Sequence, residues 1–247
     1  MSLVRGLVVF AGLVVAWQAL VWLTGVAPYI LPGPLAVARA LTERWSLIAE
    51  NAGVTILEIV LGLAVGTLLG VASALLIAAF RPAREWLLPV LVVSQAVPVF
   101  ALAPLLVLWF GYGLASKVAM ATLIIYFPVT AAFTDGLRRT EPGWLDLART
   151  MGGDRLAVLR VIRVPAALPA LASGLRVATA VAPIGAVVGE WVGASAGLGY
   201  LMLHANARLQ VDLMFAALFV LAVFAVLLYF TVDRLLRLAL PWQAEQP

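Results

Sequence analysis

"LDLARTMGGDRLAVLRVIRVP", residues 145–165, is the one long charged stretch in a chain that is otherwise oily. It carries Asp146, Arg149, Asp154, Arg155, Arg160 and Arg163 between two apolar runs. The segment "EPGWLDLARTM" starts a helix after Pro142 that runs to Met151. Gly152-Gly153 then permits the positive φ on which helices end. Asp154 is placed to N-cap a second piece, "RLAVLRVIRV". There Ala157, Val158, Val161 and Ile162 share one face, while Arg160 and Arg163 stand at i, i+3 on another. Pro165 and Pro169 are expected to end that piece. A basic amphipathic loop lying on anionic headgroups accounts for the arginines and the apolar face. It leaves Asp146, the paired glycines and the turn between two short helices without a use. A protein partner uses all of them.

The surroundings fix the solvent. Of 247 residues, 64% are hydrophobic and 11% charged, with a mean hydropathy of +1.09. A water-soluble domain of this length has too little polar surface to cover so much apolar material. The expected fold is an all-α membrane protein. A helix needs about 20 apolar residues to cross the hydrocarbon, and six stretches qualify: Leu7–Leu23, Gly53–Ala79, Leu87–Phe110, Val118–Phe133 (extending toward Leu137), Leu168–Val192 and Leu213–Val232. The first reads as a retained helix, since its run is long for a signal peptide and no small-residue cleavage site follows. The third holds Pro98 and Pro104 and is expected to be interrupted, as is tolerated where backbone is buried or lines a watery path. The organisation is a first helix and outer loop over 1–52, a membrane domain over 53–240 and a tail over 241–247.

Orientation follows the basic residues. With the N-terminus inside, Arg5, Arg81, Arg84, Arg138, Arg139, Arg149, Arg155, Arg160, Arg163, Arg234 and Arg237 share one side. The other side holds only Arg39, Arg44, Lys117 and Arg208, with Arg176 inside the fifth span. Both termini and residues 145–165 are therefore expected in the cytoplasm.

Several chemistries are excluded. Cysteine is absent, which removes disulfides and thiolate metal sites. His204 is the only histidine, and Lys117, preceded by Ser116, is the only lysine. No P-loop can be built from that, so the chain binds no ATP of its own. No paired carboxylates, metal set or nucleophile–base pair falls inside the spans, and no nucleic-acid partner is expected. Polar residues in or near spans each have two readings. Glu58 is a headgroup-level residue or a functional charge. Glu190, beside Trp191, is an interfacial anchor or a pathway residue. Gln95, one turn before Pro98, faces a translocation path or hydrogen-bonds a neighbouring helix. Gly62, Gly66 and Gly70 form consecutive GxxxG spacings, which signify close helix packing.

The spacing Asp146-Leu147-Ala148, three residues, Gly152, nine residues, then Ile162-Arg163-Val164-Pro165 resembles the "EAA" loop of bacterial ABC importer permeases. That pattern is Glu-Ala-Ala, three residues, Gly, nine residues, Ile, one residue, Leu-Pro. Here Asp replaces Glu, Leu replaces the first Ala and Val replaces Leu. "LPGPLAVARAL", "QAVPVFALAPLLVLWFGYGLASK" and "GEWVGASAGLGYLM" resemble the nitrate/sulfonate/taurine-type permeases. Within that group, "AGLGYLMLHANARLQVDLMFAAL" and "DRLLRLALPW" are most similar to permeases for thiamine-precursor pyrimidines.

The resemblance implies a non-catalytic permease of the bacterial inner membrane with a type I, six-helix fold. Asp146, Leu147, Ala148, Gly152, Gly153, Ile162, Val164 and Pro165 would form the loop that docks a separate ATPase, which holds the ATP and Mg. A periplasmic or lipid-anchored binding protein would deliver a small polar solute, with a pyrimidine precursor first and sulfonate, taurine or nitrate-like anions next. A second permease copy would complete the pathway, for which Gln95, Pro98, Glu190 and Trp191 are the candidate residues. A self-sufficient secondary transporter is the rival; it predicts more buried ionisable residues and inverted repeats.

Overall fold

The computed structural model describes residues 3–94 and 97–242. Among these the chain is helical and has no strand. In order come α1 (Leu3–Thr24), α2 (Pro34–Glu43), α3 (Trp45–Ala79), α4 (Arg81–Ser94), α5 (Val99–Phe110), α6 (Leu114–Arg138), α7 (Pro142–Thr150), α8 (Arg155–Val158), a π-turn (Leu159–Arg163), α9 (Val164–Gly193), α10 (Leu198–Ala207) and α11 (Val211–Ala239). Two compact units result: Met1–Thr55 with Ser195–Val223, and Ile56–Ala194 with Phe224–Pro247.

In the first unit the start of α3 organises α10. The helix α10 begins at Gly197, which has φ +118° and no side chain with which to cap the orphan N–H groups of the first turn. Two buried residues of α3 take over that task. Asn51 Oδ1 accepts from the Gly197 N–H at 2.8 Å, and Thr55 Oγ1 accepts from the Leu198 N–H at 2.7 Å. Trp17 of α1 stacks on Phe215 of α11 with ring centroids 5.8 Å apart.

The second unit is built around α6, which packs most extensively on α9. Without water to drive helices together in lipid, close van der Waals approach between small residues does so. The GxxxG ridge of α3 lies on α6. A Cβ on Gly66 would stand 2.7 Å from Ile125 Cγ2, one on Gly70 2.9 Å from Val129 Cγ1, and one on Gly62 would overlap the Ala121 methyl. From α9, a Cβ on Gly185 would stand 2.7 Å from Ala121 Cα, and one on Gly174 2.8 Å from the Pro128 carbonyl oxygen. Ala74, Phe133, Leu137, Leu159 and Ala167 fill the space toward the α6 C-terminus.

The helices α3, α6, the continuous run Arg155–Gly193 and α11 are each long and apolar enough to cross a membrane. The third expected span is two helices, α4 and α5, sharply bent at a break, and together they make a fifth candidate. Val8–Thr24 is a shorter apolar helix. Two sequence expectations are corrected. The helix that carries the second apolar stretch starts at Trp45, ahead of Gly53 and within the residues read as outer loop. Pro165 and Pro169 also fail to stop the helix that precedes the fifth span. The Val164 N–H bonds the Leu159 carbonyl five residues back, and this widened turn delivers Pro165 to the first turn of α9, where a missing N–H is tolerated. Pro169 and Pro183 lie within α9, as prolines do in membrane helices whose freed carbonyls find other partners.

Because α3 and α6 meet with no room for a side chain, Gly66→Leu is expected to lower the unfolding midpoint of the detergent-solubilised chain. Overpacking of this kind is worth about 1–3 kcal/mol or more. An unchanged midpoint in a fluorescence melt would show that the two helices do not approach as described.

Candidate functional site

The corner between α7 and α8 is assembled by local rules. Pro142 occupies the first turn of α7, where its ring is pre-set for a helix. At the other end the Gly152 N–H bonds the Arg149 carbonyl at 3.0 Å, and the Gly153 N–H reaches back to the Ala148 carbonyl at 2.9 Å. With Gly152 at φ +79°, this is a Schellman stop. Gly153 is needed for a different reason: a Cβ there would lie 2.9 Å from the Ala148 oxygen. Asp154 accepts from the Ala157 N–H at 2.6 Å and starts α8.

These turns leave apolar side chains in the open. Met151 is 79% exposed and Val161 73%, and Trp144, Leu147 and Leu156 are exposed too. Met151, Val161, Trp144 and Leu147 border an apolar groove of about 700 Å³. Leu147, Ala148, Gly153, Ile162 and Pro165, all marked out by sequence spacing, line it together with Trp144. Gly152, Val164 and Asp146 are not on its wall. Asp146 pairs with Arg149 across 2.9 Å, both side chains being exposed. Such surface pairs contribute about 0–1 kcal/mol.

Arg163 has a role that periodicity did not reveal. Its Nε and Nη2 donate to the Leu137 carbonyl at 3.1 and 2.9 Å. The guanidinium thus satisfies an orphan carbonyl at the C-terminus of α6 and fastens the corner to that helix. Sequence reading grouped Arg163 with the exposed Arg160. The available signal was its position between two half-buried apolar residues, Ile162 and Val164.

The candidate pathway residues are not brought together. Gln95 lies outside the described residues. Pro98 is the N-cap of α5, and Trp191 is exposed. Glu190 is buried in protein in a cluster with Glu58 and Lys117, which corrects the expectation that the spans hold no paired carboxylates. Lys117 Nζ donates to the carbonyls of Tyr112 and Gly193. Glu58 is therefore buried within the helix bundle and faces neither lipid nor water. Arg176 on α9 pairs with Asp233 on α11 at 2.6 Å, and Asp233 also takes Arg237 at 2.9 Å.

Residues 66–243 match the model of the binding-protein-dependent transport system inner membrane component family. The chain belongs to that family. It is 57% identical over 234 residues to a probable ABC transporter permease of Haemophilus influenzae, covering 95% of this chain and 96% of that one. It is 37% identical over 238 residues to the formylaminopyrimidine transport permease ThiX of Halalkalibacterium halodurans, covering 96% of this chain and 95% of that one. The riboflavin transport permease RibX of Chloroflexus aurantiacus is also 37% identical over 235 residues, with 94% and 88% covered. Among solved structures, an inward-facing MetNI methionine ABC transporter superposes with a TM-score of 0.68 at 19% identity, over 79% of this chain and 97% of that one.

This chain is thus an ABC transporter permease subunit with the type I importer fold, a membrane-embedded and non-catalytic component. Membership implies an ATPase and a substrate-binding protein as partners. In this permease the EAA-like spacing falls on the α7–α8 corner.

Gly152 meets nothing within 4 Å of an added Cβ, so its requirement is purely one of backbone conformation. Gly152→Asn, →Ala and →Val should therefore destabilise in increasing order, with alanine losing about 1–2 kcal/mol. Thermal midpoints of the three variants check this; equal midpoints would contradict the turn geometry.

Proposed function

We propose that this permease forms the translocation pathway for a pyrimidine precursor of thiamine, driven by an ATPase docked on the α7–α8 corner. The observation that carries the substrate reading is the likeness to ThiX, which extends over nearly the full length of both chains. The riboflavin permease is equally identical but matches less of its own length. Sulfonate and taurine permeases are more distant, at 28–30% identity.

The docking reading rests on the groove. Exposed Met151, Leu147 and Val161 present more apolar surface around one concavity than a surface facing only water keeps. The basic residues of the same region favour the cytoplasmic side. In this reading both termini are cytoplasmic, α1 supplies a sixth span, and the protein sits in the bacterial inner membrane. A second copy of the chain gives the assembly two corners for two ATPases, and these hold the ATP and Mg. Gln95, Pro98, Glu190 and Trp191 remain proposals for the pathway; Glu190 acts there only if its buried cluster opens.

Two experiments follow. Leu147→Asp touches an exposed side chain and leaves the fold alone, yet it should weaken co-purification with the cognate ATPase about tenfold or more, as loss of an interface anchor does. Undiminished co-purification would move the docking site elsewhere. For the substrate, the cognate binding protein is titrated with formylaminopyrimidine, hydroxymethylpyrimidine, riboflavin, taurine and an alkyl sulfonate. Binding of the pyrimidines alone is expected; binding of the sulfonates or riboflavin alone would overturn the substrate and leave the permease.

A further inference from the structure

The stretch "DRLLRLALPW", residues 233–242, closes α11 and carries two anchors ahead of an open end. Asp233 pairs with Arg176 of α9 at 2.6 Å, with 14% of its side chain exposed. Leu240 is buried, and its N–H bonds the Leu236 carbonyl at 3.0 Å. Pro241 has no N–H for a further turn, so the helix ends before it. Trp242 follows and is 60% exposed. Two anchors thus hold a tryptophan that is not itself buried.

Trp242 borders two concavities of the second unit. It lines the apolar groove of the α7–α8 corner, whose other lining residues all fall between Trp144 and Ala166. Next to the groove lies a cavity of about 450 Å³, where Arg139, Thr140 and Glu141 join Gly136 and Pro169. Trp144 and Trp242 line both. The two indoles therefore stand where an apolar floor gives way to charged and hydroxyl groups. An apolar centre, a polar rim and tryptophan anchors are the anatomy of a protein interface. A headgroup layer gives an exposed tryptophan somewhere to rest, but it makes no use of a wall shared between an apolar groove and a cavity bearing Arg139 and Glu141. The family supplies a protein for that place, the separate ATPase.

We propose that Trp242 is a docking residue for the ATPase, which makes the docking surface a composite of the α7–α8 corner and the end of α11. This rests on the reading of the corner as the docking site and adds to it a segment distant in sequence. The partner surface that fits has an apolar protrusion for the groove and polar side chains beside it for Arg139 and Glu141. Because the Arg176–Asp233 pair ties the end of α11 to α9, a partner seated against Trp242 engages both helices.

Titration of the permease in lipid nanodiscs with its purified cognate ATPase tests this. Trp242→Ala should weaken binding about tenfold or more, as loss of an interface anchor does, and Trp242→Phe, which keeps a ring, should retain most of the affinity. The side chain is exposed, so both variants should keep the thermal midpoint of the unmodified chain. Trp242→Cys is the only thiol in a chain without cysteine, and saturating ATPase should slow its alkylation by maleimide. Full affinity in Trp242→Ala while Leu147→Asp loses binding overturns the role of Trp242 and leaves the corner as the docking site. Full affinity in both variants overturns the docking reading and this proposal with it. A thiol at 242 that is already shielded by lipid without ATPase, or that is alkylated equally fast with it, also overturns the proposal.

Discussion

The close approach of α3 and α9 to α6 is the constraint on which the second unit depends. Lipid tails are as apolar as leucine, so burying hydrophobic side chains gives helices little reason to associate. What remains is contact between backbones. Gly62, Gly66 and Gly70 supply it on one flank of α6, and Gly174, Gly185 and Gly189 supply it on the other. The same closeness decides where charges go. Lys117 reaches the Gly193 carbonyl because the α9 backbone at Gly189 lies against it. Any bulkier residue along these ridges would separate the helices and strand that charge.

The corner at residues 142–165 obeys a different logic. It is made of local devices: a proline start, a glycine stop and an aspartate cap. One long-range tie, Arg163 to the Leu137 carbonyl, connects it to α6. A force applied to the groove at Leu147 and Ile162 would therefore reach the spanning helices along two routes: the continuous helix into α9, and the Arg163 clasp onto the end of α6. That is the arrangement expected of a subunit that receives motion from a partner and hydrolyses nothing itself.

How much of this was legible in the sequence depended on range. The spans were readable because apolar runs of membrane length have few other uses, and the corner was readable because caps and glycine stops act within four or five residues. Contacts between distant segments were not readable. Nothing local marks Asn51 and Thr55 as caps for a helix beginning near residue 198, or Glu58, Lys117 and Glu190 as neighbours. Pro165 and Pro169 were misjudged because a helix stop in water is compatible with a continuous helix in lipid, once a π-turn places Pro165 in a first turn. Of the residues marked out for coupling, those on the apolar face converge on the groove. Asp146, the position at which the EAA pattern has glutamate, makes only an exposed ion pair.

As a permease subunit, this chain is expected to move a solute only when a partner ATPase drives it. Uptake into proteoliposomes measures that directly, using the permease with and without its ATPase, with the loaded binding protein outside and ATP inside. Uptake that requires both the ATPase and hydrolysable ATP, and that ignores imposed proton or sodium gradients, is the predicted result. Gradient-driven uptake by the permease alone would contradict it.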